Sequence, residues 1–291
     1  MVYSFSGFDY NNRMAAANDS LKKIINLALA EDRVDKDITT GSLQEFDRPA
    51  VAEVIAKAAG IISGTRPFIE VCRAVDHGLK VFICKADGSA VRPGDVVLTV
   101  RGRESSILRA ERTALNFIQR LSGIATLTRQ FVDQVRPYAA VILDTRKTTP
   151  GMRRLEKKAV CDGGGRNHRL DLEAMALVKD NHIRMAGGIA AAVKAIRRRQ
   201  PNKRIEVEVR TLAELEEALD LRVKRIMLDN FPPARVRRAV RITRGRAKLE
   251  VSGSVSLKNV VAKARTGVDF ISVGALTHSF RSLDLSLDIR R

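Results

Sequence analysis

The sequence predicts an α/β protein in which a small N-terminal α/β sandwich domain precedes an open, mostly parallel α/β barrel of about six strands. Two observations predict this architecture. From residue 141 onward, short apolar runs rich in β-branched residues alternate with stretches of helical periodicity. The last four runs begin at residues 205, 225, 249 and 270, and this spacing is typical of successive β-α units. Six such runs indicate a barrel smaller than the eight-stranded kind.

The first part of the chain has a different pattern. Its helices are predicted over 19–30 and 67–76, and its strands over 51–55, 80–83 and 97–100. A long amphipathic stretch then runs from residue 107 to about residue 134 and leads into the barrel. We therefore expect residues 1–116, joined by the C-terminal tail 275–291, to form an N-terminal α/β domain, and residues 117–274 to form the barrel.

The barrel elements follow one another in regular order. The strands are predicted at six apolar runs, which are 141–143, 176–178, 205–209, 225–228, 249–251 and 270–273. The helices are predicted at 189–198, 212–219, 233–242 and 257–264. Thr211 and Glu214 have the spacing of a capping box, which predicts the start of the second of these helices. Pro233 suits the first turn of the third.

The charge of the chain predicts an anionic partner. Its 291 residues carry a formal net charge of +19, so nucleic acid, a membrane surface and a small polyanion are the candidate classes. A hydrophobic fraction of 45% excludes a disordered basic tail. With only 4% aromatic residues and no Trp, a base-stacking platform for nucleic acid is disfavoured. The charge by itself does not choose among these classes.

The compartment is predicted from what the sequence lacks. Its three cysteines form no CxxC pair, its first residues show no signal-peptide pattern, and no run of about 18 apolar residues is present. These features predict a cytoplasmic protein without a membrane span.

Polar residues and glycines follow the predicted barrel strands. They are Asp144, Lys179, Asp180, Glu208, Asp229, Ser252, Gly253 and Gly274. Because parallel α/β folds place their chemistry at the carboxyl ends of strands, these residues define a candidate site. Glu208 and Asp229 end consecutive strands, where two carboxylates would bind one Mg²⁺ together with substrate phosphates. On spacing alone, salt bridges between these carboxylates and local arginines are an equally good interpretation.

The segment 146–170 is strongly basic, with eight Lys and Arg against two Asp and Glu. Arginine offers a planar fork to carboxylate or phosphate, and the glycines at 163–165 let backbone N–H groups approach a phosphate. We interpret the segment as facing an anionic substrate, and the alternative is a solvated basic loop. Cys161, His168 and His182 do not have zinc-site spacing, so a structural or substrate-contacting role is favoured for them.

Nine segments of the chain resemble the quinolinate phosphoribosyltransferase family, in the family's order and over nearly the whole length. They are 28–40 (ALAEDRVDKDITT), 111–123 (ERTALNFIQRLSG), 143–160, 163–169, 179–182 (KDNH), 205–209 (IEVEV), 228–231 (LDNF), 249–253 and 273–279 (VGALTHS). The resemblance implies a pentosyltransferase of NAD biosynthesis. Quinolinate and phosphoribosyl pyrophosphate would give nicotinate mononucleotide, pyrophosphate and CO₂, with Mg²⁺ as cofactor. The resemblance therefore favours a small polyanion, with no nucleic acid and no membrane as partners.

The resemblance also implies roles for individual residues, and a head-to-tail homodimer with shared active sites. The quinolinate dicarboxylate would be held by Arg112, Arg146, His168, Arg169 and Lys179, with Arg112 supplied by the partner subunit. The catalytic residues would be Lys147, Glu208 and Asp229, which handle phosphoribosyl pyrophosphate, and the last two would hold Mg²⁺. The 5′-phosphate would lie against Ser252, Gly253 and Gly274.

Five positions depart from the family's usual pattern, and they are Lys36, Asp171, Ala174, Arg210 and Ser254. If the phosphate turn needs a positive φ at position 254, serine would be strained there. These departures make a catalytically weakened homologue one alternative. A related paralogue associated with molybdenum transport is a second, although Arg112 and the 179–182 run favour quinolinate chemistry. A basic nucleic-acid-binding module is a third, disfavoured by the carboxylates Glu208 and Asp229.

Overall fold

The protein is described by a computed structural model that covers the backbone of residues 7–290 and the side chains from residue 19. Its helices are α1 (Gly7–Glu31), α2 (Ile38–Ser42), α3 (Thr65–Val75), α4 (Glu104–Val135), α5 (Arg153–Asp162), α6 (Asp180–Ala186), α7 (Ile189–Arg199), α8 (Leu212–Asp220), α9 (Pro233–Thr243), α10 (Val260–Ala264) and α11 (Ala275–His278). Its strands are β1 (Pro49–Ala56), β2 (Gly60–Ile61), β3 (Lys80–Ile83), β4 (Ala90–Val91), β5 (Val96–Arg103), β6 (Val141–Leu143), β7 (Ala176–Val178), β8 (Ile205–Val209), β9 (Arg225–Asp229), β10 (Lys248–Ser252), β11 (Phe270–Ser272) and β12 (Leu285–Arg290).

The chain divides into two compact units. The first contains the residues up to Thr126, the segment Thr149–Asp162 and the residues from Arg281 on. The second contains Leu127–Thr148 and Gly163–Phe280, so α4 contributes to both. The domain bounds expected from the sequence, at residues 116 and 274, stay a prediction.

The first unit is built around a four-stranded antiparallel sheet in the order β12-β1-β5-β3. Alternate residues of the central strands, such as Val54 and Val100, are buried because one face of the sheet is covered. Apolar residues of α1, α3 and α4 complete this core, among them Ile25, Phe68 and Ile118. Helices therefore pack on a sheet, as the predicted sandwich requires.

The second unit is a parallel sheet of six strands in the order β6-β11-β10-β9-β8-β7. Strands β6 and β7 stand at the two ends of the strand order and, among the described residues, do not pair with each other, so the sheet is open. On its outer edge, β6 forms an isolated parallel bridge between Leu143 and Arg166. Helices follow the strands in sequence, and the capping box at the start of α8 is present, since Thr211 Oγ1 accepts the Glu214 N–H at 3.1 Å. The predicted fold class and the six barrel strands are confirmed.

The basic segment 146–170 is not one continuous loop. Helix α5 interrupts it and belongs to the first unit, where Lys157 is buried and Glu156 accepts hydrogen bonds from Arg120. The alternative of a solvated basic loop is therefore wrong, and only part of the segment borders the site described below. The helix was missed because its charged residues outnumber its apolar ones, which hides the 3.6-residue period.

Within residues 7–290, no helix combines the length and the apolar character that a bilayer crossing requires. Three cysteines are present as free thiols, and burial raises the pKa of the Cys72 thiol to about 12.

Candidate active site

A cavity of about 670 Å³ lies at the carboxyl ends of the parallel strands of the second unit. It is lined by all of the predicted site residues except one. They are Arg146, Lys147, His168, Arg169, Lys179, Glu208, Asp229, Ser252, Gly253 and Gly274. The exception is Arg112, whose exposed side chain lines a groove of the first unit beside Asn116 and Arg120. Residues from six strand ends therefore meet in one place, as the parallel topology predicts.

Two arginines lie close together on one wall of the cavity. Burial, and next to it the nearby charge of Arg146, lower the pKa of the Arg169 guanidinium, while the charges of Glu206 and Asp171 act in the opposite direction. Arg169 Nη1 donates to the Met175 carbonyl at 3.0 Å, which fixes its position. Among the described residues, Arg146 Nε is buried without a hydrogen-bond partner. An anion bound at this wall would pair with both guanidinium groups.

Lys147 is positioned through its backbone. Thr277 Oγ1, on α11, donates to the Lys147 carbonyl at 2.6 Å. Gly274 lies at the start of the same helix, and a Cβ atom there would come within 3.2 Å of Lys147 Cδ and 3.0 Å of His278 Nε2. The absence of a side chain at position 274 therefore leaves room for the lysine side chain to extend into the cavity.

The two rim carboxylates each pair with a cation. Lys179 Nζ lies 2.5 Å from Glu208 Oε2. Arg210 Nε lies 3.6 Å from Asp229 Oδ2, while the other oxygen of Asp229 accepts Asn230 Nδ2–H at 3.0 Å. The salt bridge with a local arginine that was the alternative interpretation is present for Asp229, whereas Glu208 pairs with a lysine. The donor set also fits Mg²⁺, because two adjacent carboxylates supply the hard oxygen ligands that this ion prefers beside phosphates.

A tight turn at the end of β10 forms another part of the wall. Gly253 has φ of +93° and Ser254 has φ of +48°. Serine therefore occupies a left-handed backbone conformation, which is the strained case expected if this turn needs a positive φ at position 254. A Cβ atom on Gly253 would lie 2.1 Å from Asn230 Oδ1. The Asn230 N–H donates to the Ser252 carbonyl at 3.0 Å. The turn therefore packs tightly against Asn230, the residue that follows Asp229.

Beneath His168 lies a buried charged cluster that the sequence analysis missed. His168 Nε2 lies 3.0 Å from Glu206 Oε2 and 3.5 Å from Glu250 Oε2. Arg225 bridges the same two carboxylates, and Ser272 Oγ donates to Glu250. Burial lowers the pKa of His168, but the bonds and charges of the two glutamates outweigh it and raise the pKa to about 9. The sequence does contain a signal for this cluster, since Glu206 and Glu250 each stand between two apolar residues of a strand.

This cluster is also the group of described residues that comes nearest to a metal-ligand set, through His168, Glu206 and Glu250. Arg225 and the histidine already contact both carboxylates, so the cluster has its own partners for them. Cys161 and His182 do not belong to the group. His182 instead accepts the Lys179 N–H through Nδ1 at 3.0 Å, at the first turn of α6.

The remaining departures from the family pattern lie on the surface. Asp171 Oδ1 accepts the N–H groups of Glu173 and Ala174, so Asp171 closes a turn in the loop before β7. Lys36 ends a short 3₁₀ turn between α1 and α2. Neither residue lines the cavity.

The fold and the site together define an α/β-barrel enzyme whose cavity is built for small polyanions. Two family models match the chain, the quinolinate phosphoribosyl transferase N-terminal domain over residues 37–122 and its C-terminal domain over residues 124–288. The chain belongs to the quinolinate phosphoribosyltransferase family.

Similar proteins carry consistent names. The chain is 41% identical over 270 residues to the probable nicotinate-nucleotide pyrophosphorylase (carboxylating) of Bacillus subtilis, covering 92% of this chain and 93% of that protein. It is 43% identical over 289 residues to the chloroplastic enzyme of that name from Arabidopsis thaliana, covering 92% and 82%. The solved structure of the nicotinate-nucleotide pyrophosphorylase from Francisella tularensis has a TM-score of 0.91 at 42% identity, covering 94% and 97%.

Proposed function

We propose that this chain transfers the phosphoribosyl group of phosphoribosyl pyrophosphate to quinolinate and decarboxylates the product. The products are nicotinate mononucleotide, pyrophosphate and CO₂, a step of NAD biosynthesis. The observation that carries this proposal is that one cavity is lined both by the arginine pair Arg146 and Arg169 and by the carboxylates Glu208 and Asp229. A dicarboxylate needs cationic side chains, whereas a metal-bound pyrophosphate needs carboxylates that hold the metal. The cavity has both kinds of residue.

Quinolinate carries two adjacent carboxylates, and the cationic wall matches them. Arg146 and Arg169 repel each other, so a bound dianion relieves that repulsion while it pairs with both. Lys179 completes the set from the end of β7. His168 is assigned here to the same wall, where its charge is maintained by the glutamates behind it. Nicotinate, with one carboxylate, satisfies this wall less well.

The second substrate is assigned to other residues of the same cavity. Ser252, Gly253 and Gly274 would hold the 5′-phosphate, since glycine allows the backbone to approach a phosphate closely. Glu208 and Asp229 would hold Mg²⁺, which neutralises the charge of the pyrophosphate when it is bound. Lys147 would neutralise the charge that grows on the departing pyrophosphate.

The chemistry follows from positioning and charge. The ring nitrogen of quinolinate forms a bond to ribose C1 as the bond from C1 to the pyrophosphate oxygen breaks. The nitrogen is then positively charged, which stabilises the electron pair left on the neighbouring carbon when CO₂ departs. A proton then replaces the lost carboxylate. No covalent nucleophile is required.

The test is an assay of the purified protein with Mg²⁺, phosphoribosyl pyrophosphate and quinolinate labelled in the carboxylate next to the ring nitrogen. We expect labelled CO₂ and nicotinate mononucleotide in equal amounts, and poor conversion of nicotinate. Lys147→Ala should lose at least about 100-fold in kcat, while Lys224→Ala, an exposed lysine outside the cavity, should retain activity. Folded protein that releases no CO₂ would contradict the proposal and favour the catalytically weakened homologue.

We propose further that two copies of the chain form a homodimer in which each supplies Arg112 to the other's site. The support is that Arg112 has an exposed side chain and does not line the barrel cavity. Arg112→Ala and Lys147→Ala proteins should each be inactive. Mixing them under conditions of subunit exchange should restore up to about a quarter of the activity, because one of every four sites would carry neither substitution. No recovery despite demonstrated exchange would count against shared sites.

The reaction is assigned to the cytoplasm, which fractionation of the source cells would test.

A further inference from the structure

Arg210 connects three elements at the rim of the cavity. It directly follows β8, and its backbone N–H donates to Glu214 Oε2 at 2.6 Å, which holds the start of α8. Its guanidinium reaches Asp180 Oδ2 at 3.0 Å through Nη2, and Asp229 Oδ2 at 3.6 Å through Nε. The side chain therefore lies between α6 and the end of β9, beside a carboxylate assigned to Mg²⁺.

The position of the guanidinium matters for any cation that binds at this rim. Asp229 has one oxygen bonded to Asn230 and the other paired with Arg210, so both oxygens are already engaged. Glu208 is paired with a cation as well, because its Oε2 contacts Lys179 Nζ. A divalent cation that binds these two carboxylates must displace Lys179 and Arg210 or bind against the repulsion of their positive charges. Lys179 has a second task at the quinolinate wall, whereas Arg210 does not line the cavity.

We propose that Arg210 is a built-in counter-ion of Asp229 that weakens the binding of a free divalent cation at Glu208 and Asp229. The inference rests on the metal role proposed above. A cation that arrives on a pyrophosphate brings its own negative charge, which Arg210 attracts, so repulsion of the cation and attraction of the pyrophosphate offset each other. Arg210 therefore favours the metal–pyrophosphate complex over the free metal. It is a positioning and selectivity residue and not a catalytic one.

The test measures Mn²⁺ binding to the substrate-free protein by the loss of the free-ion EPR signal, with Mn²⁺ standing for Mg²⁺. Arg210→Ala should bind free Mn²⁺ about five- to tenfold more tightly than the unsubstituted chain, because a cation next to the ligand has been removed. Arg210→Lys, which retains the charge, should change the Kd by less than about twofold. Titration with the Mn²⁺–pyrophosphate complex should show less than about a twofold effect of Arg210→Ala.

Two controls separate this inference from its alternatives. Arg237→Ala removes an equal charge from the exposed face of α9 and should leave the Kd for Mn²⁺ within about twofold. Asp229→Asn should weaken Mn²⁺ binding about tenfold or more. If Asp229→Asn binds Mn²⁺ as tightly as the unsubstituted chain, the proposed metal role fails and the inference with it. If Asp229→Asn weakens binding but Arg210→Ala matches Arg237→Ala, the role of Arg210 is overturned and the metal role stands. A misfolded variant would bind more weakly, so tighter binding cannot come from a loss of structure.

Discussion

His168 Nε2, on the wall of the barrel cavity, lies 3.0 Å from Glu206 Oε2. The contact joins the loop before β7 to the interior of β8, and Glu250 and Arg225 extend it across β9 to β10. Buried charges are unfavourable unless they are paired, so this balanced set is stable only when all four side chains are present. It supports the wall of the cavity from behind.

The histidine makes stability depend on pH. The folded-state pKa of His168 is about 9, above its ordinary value of 6.5. A raised pKa stabilises the fold fully below the unfolded-state value, and the contribution is lost as the pH rises through about 9. His168→Gln should therefore be less stable than the unsubstituted chain by about 2 to 3 kcal/mol at pH 6. The difference should shrink by pH 10, as measured by urea unfolding at each pH.

His77→Gln serves as the control for that series, because His77 is exposed in the first unit. Its effect on the free energy of unfolding should be small and should not repeat the pH dependence of His168→Gln. A His168→Gln difference that is constant from pH 6 to pH 10 would show that the charge on the ring does not contribute.

Arg225→Met should be strongly destabilising. The substitution leaves Glu206 and Glu250 buried with one cation between them, and such breaks cost about 3 to 5 kcal/mol. Chemical denaturation would measure the loss. Arg237→Met, the same change on an exposed face of α9, should alter the free energy of unfolding by no more than about 0.5 kcal/mol. Equal effects of the two substitutions would mean that the buried network is not needed for stability.

Gly253→Ala should damage the phosphate turn. The new Cβ would lie 2.1 Å from Asn230 Oδ1, so either the turn or the residue after Asp229 must move. We expect the KM for phosphoribosyl pyrophosphate to rise about tenfold or more. Gly245→Ala is a matched control, because its φ is also positive, at +74°, but nothing lies within 4 Å of the added atom. This control isolates the cost of placing alanine at a positive φ, about 1 to 2 kcal/mol. Steady-state kinetics that do not differ between the two variants would argue against a steric effect of the Cβ atom at position 253.

Ser254→Gly should relieve strain in the same turn. Serine holds φ of +48° there, a conformation that costs an L-residue about 1 to 2 kcal/mol and costs glycine little. Glycine loses more entropy on folding, so the net gain in the free energy of unfolding should be about 0.5 to 1 kcal/mol. Thermal unfolding would detect it, and a lower melting temperature would show that the serine side chain contributes more than its backbone conformation costs.

The barrel strands were predictable because each one is a short, apolar, β-branched run whose burial follows from local sequence. The positions of Lys179, Glu208 and Asp229 followed as well, since strand ends of a parallel sheet meet at one rim. Helix α5 was missed because buried Lys157 and Glu156 look like surface residues until their surroundings are known. Short elements such as β2 and α11 have too few residues to show a period.

The sequence by itself therefore determined the fold class, the order of the strands along the chain and which residues stand at their carboxyl ends, because these depend on local pattern and on the rules of parallel sheets. Only the tertiary structure decided that Arg225 lies between Glu206 and Glu250, that Arg210 reaches both Asp180 and Asp229, and that Asn230 fills the space beside Gly253. These contacts join residues that are 19 to 30 positions apart in the chain. Charge pairing of that kind is set by three-dimensional distance, which no local period of the sequence encodes.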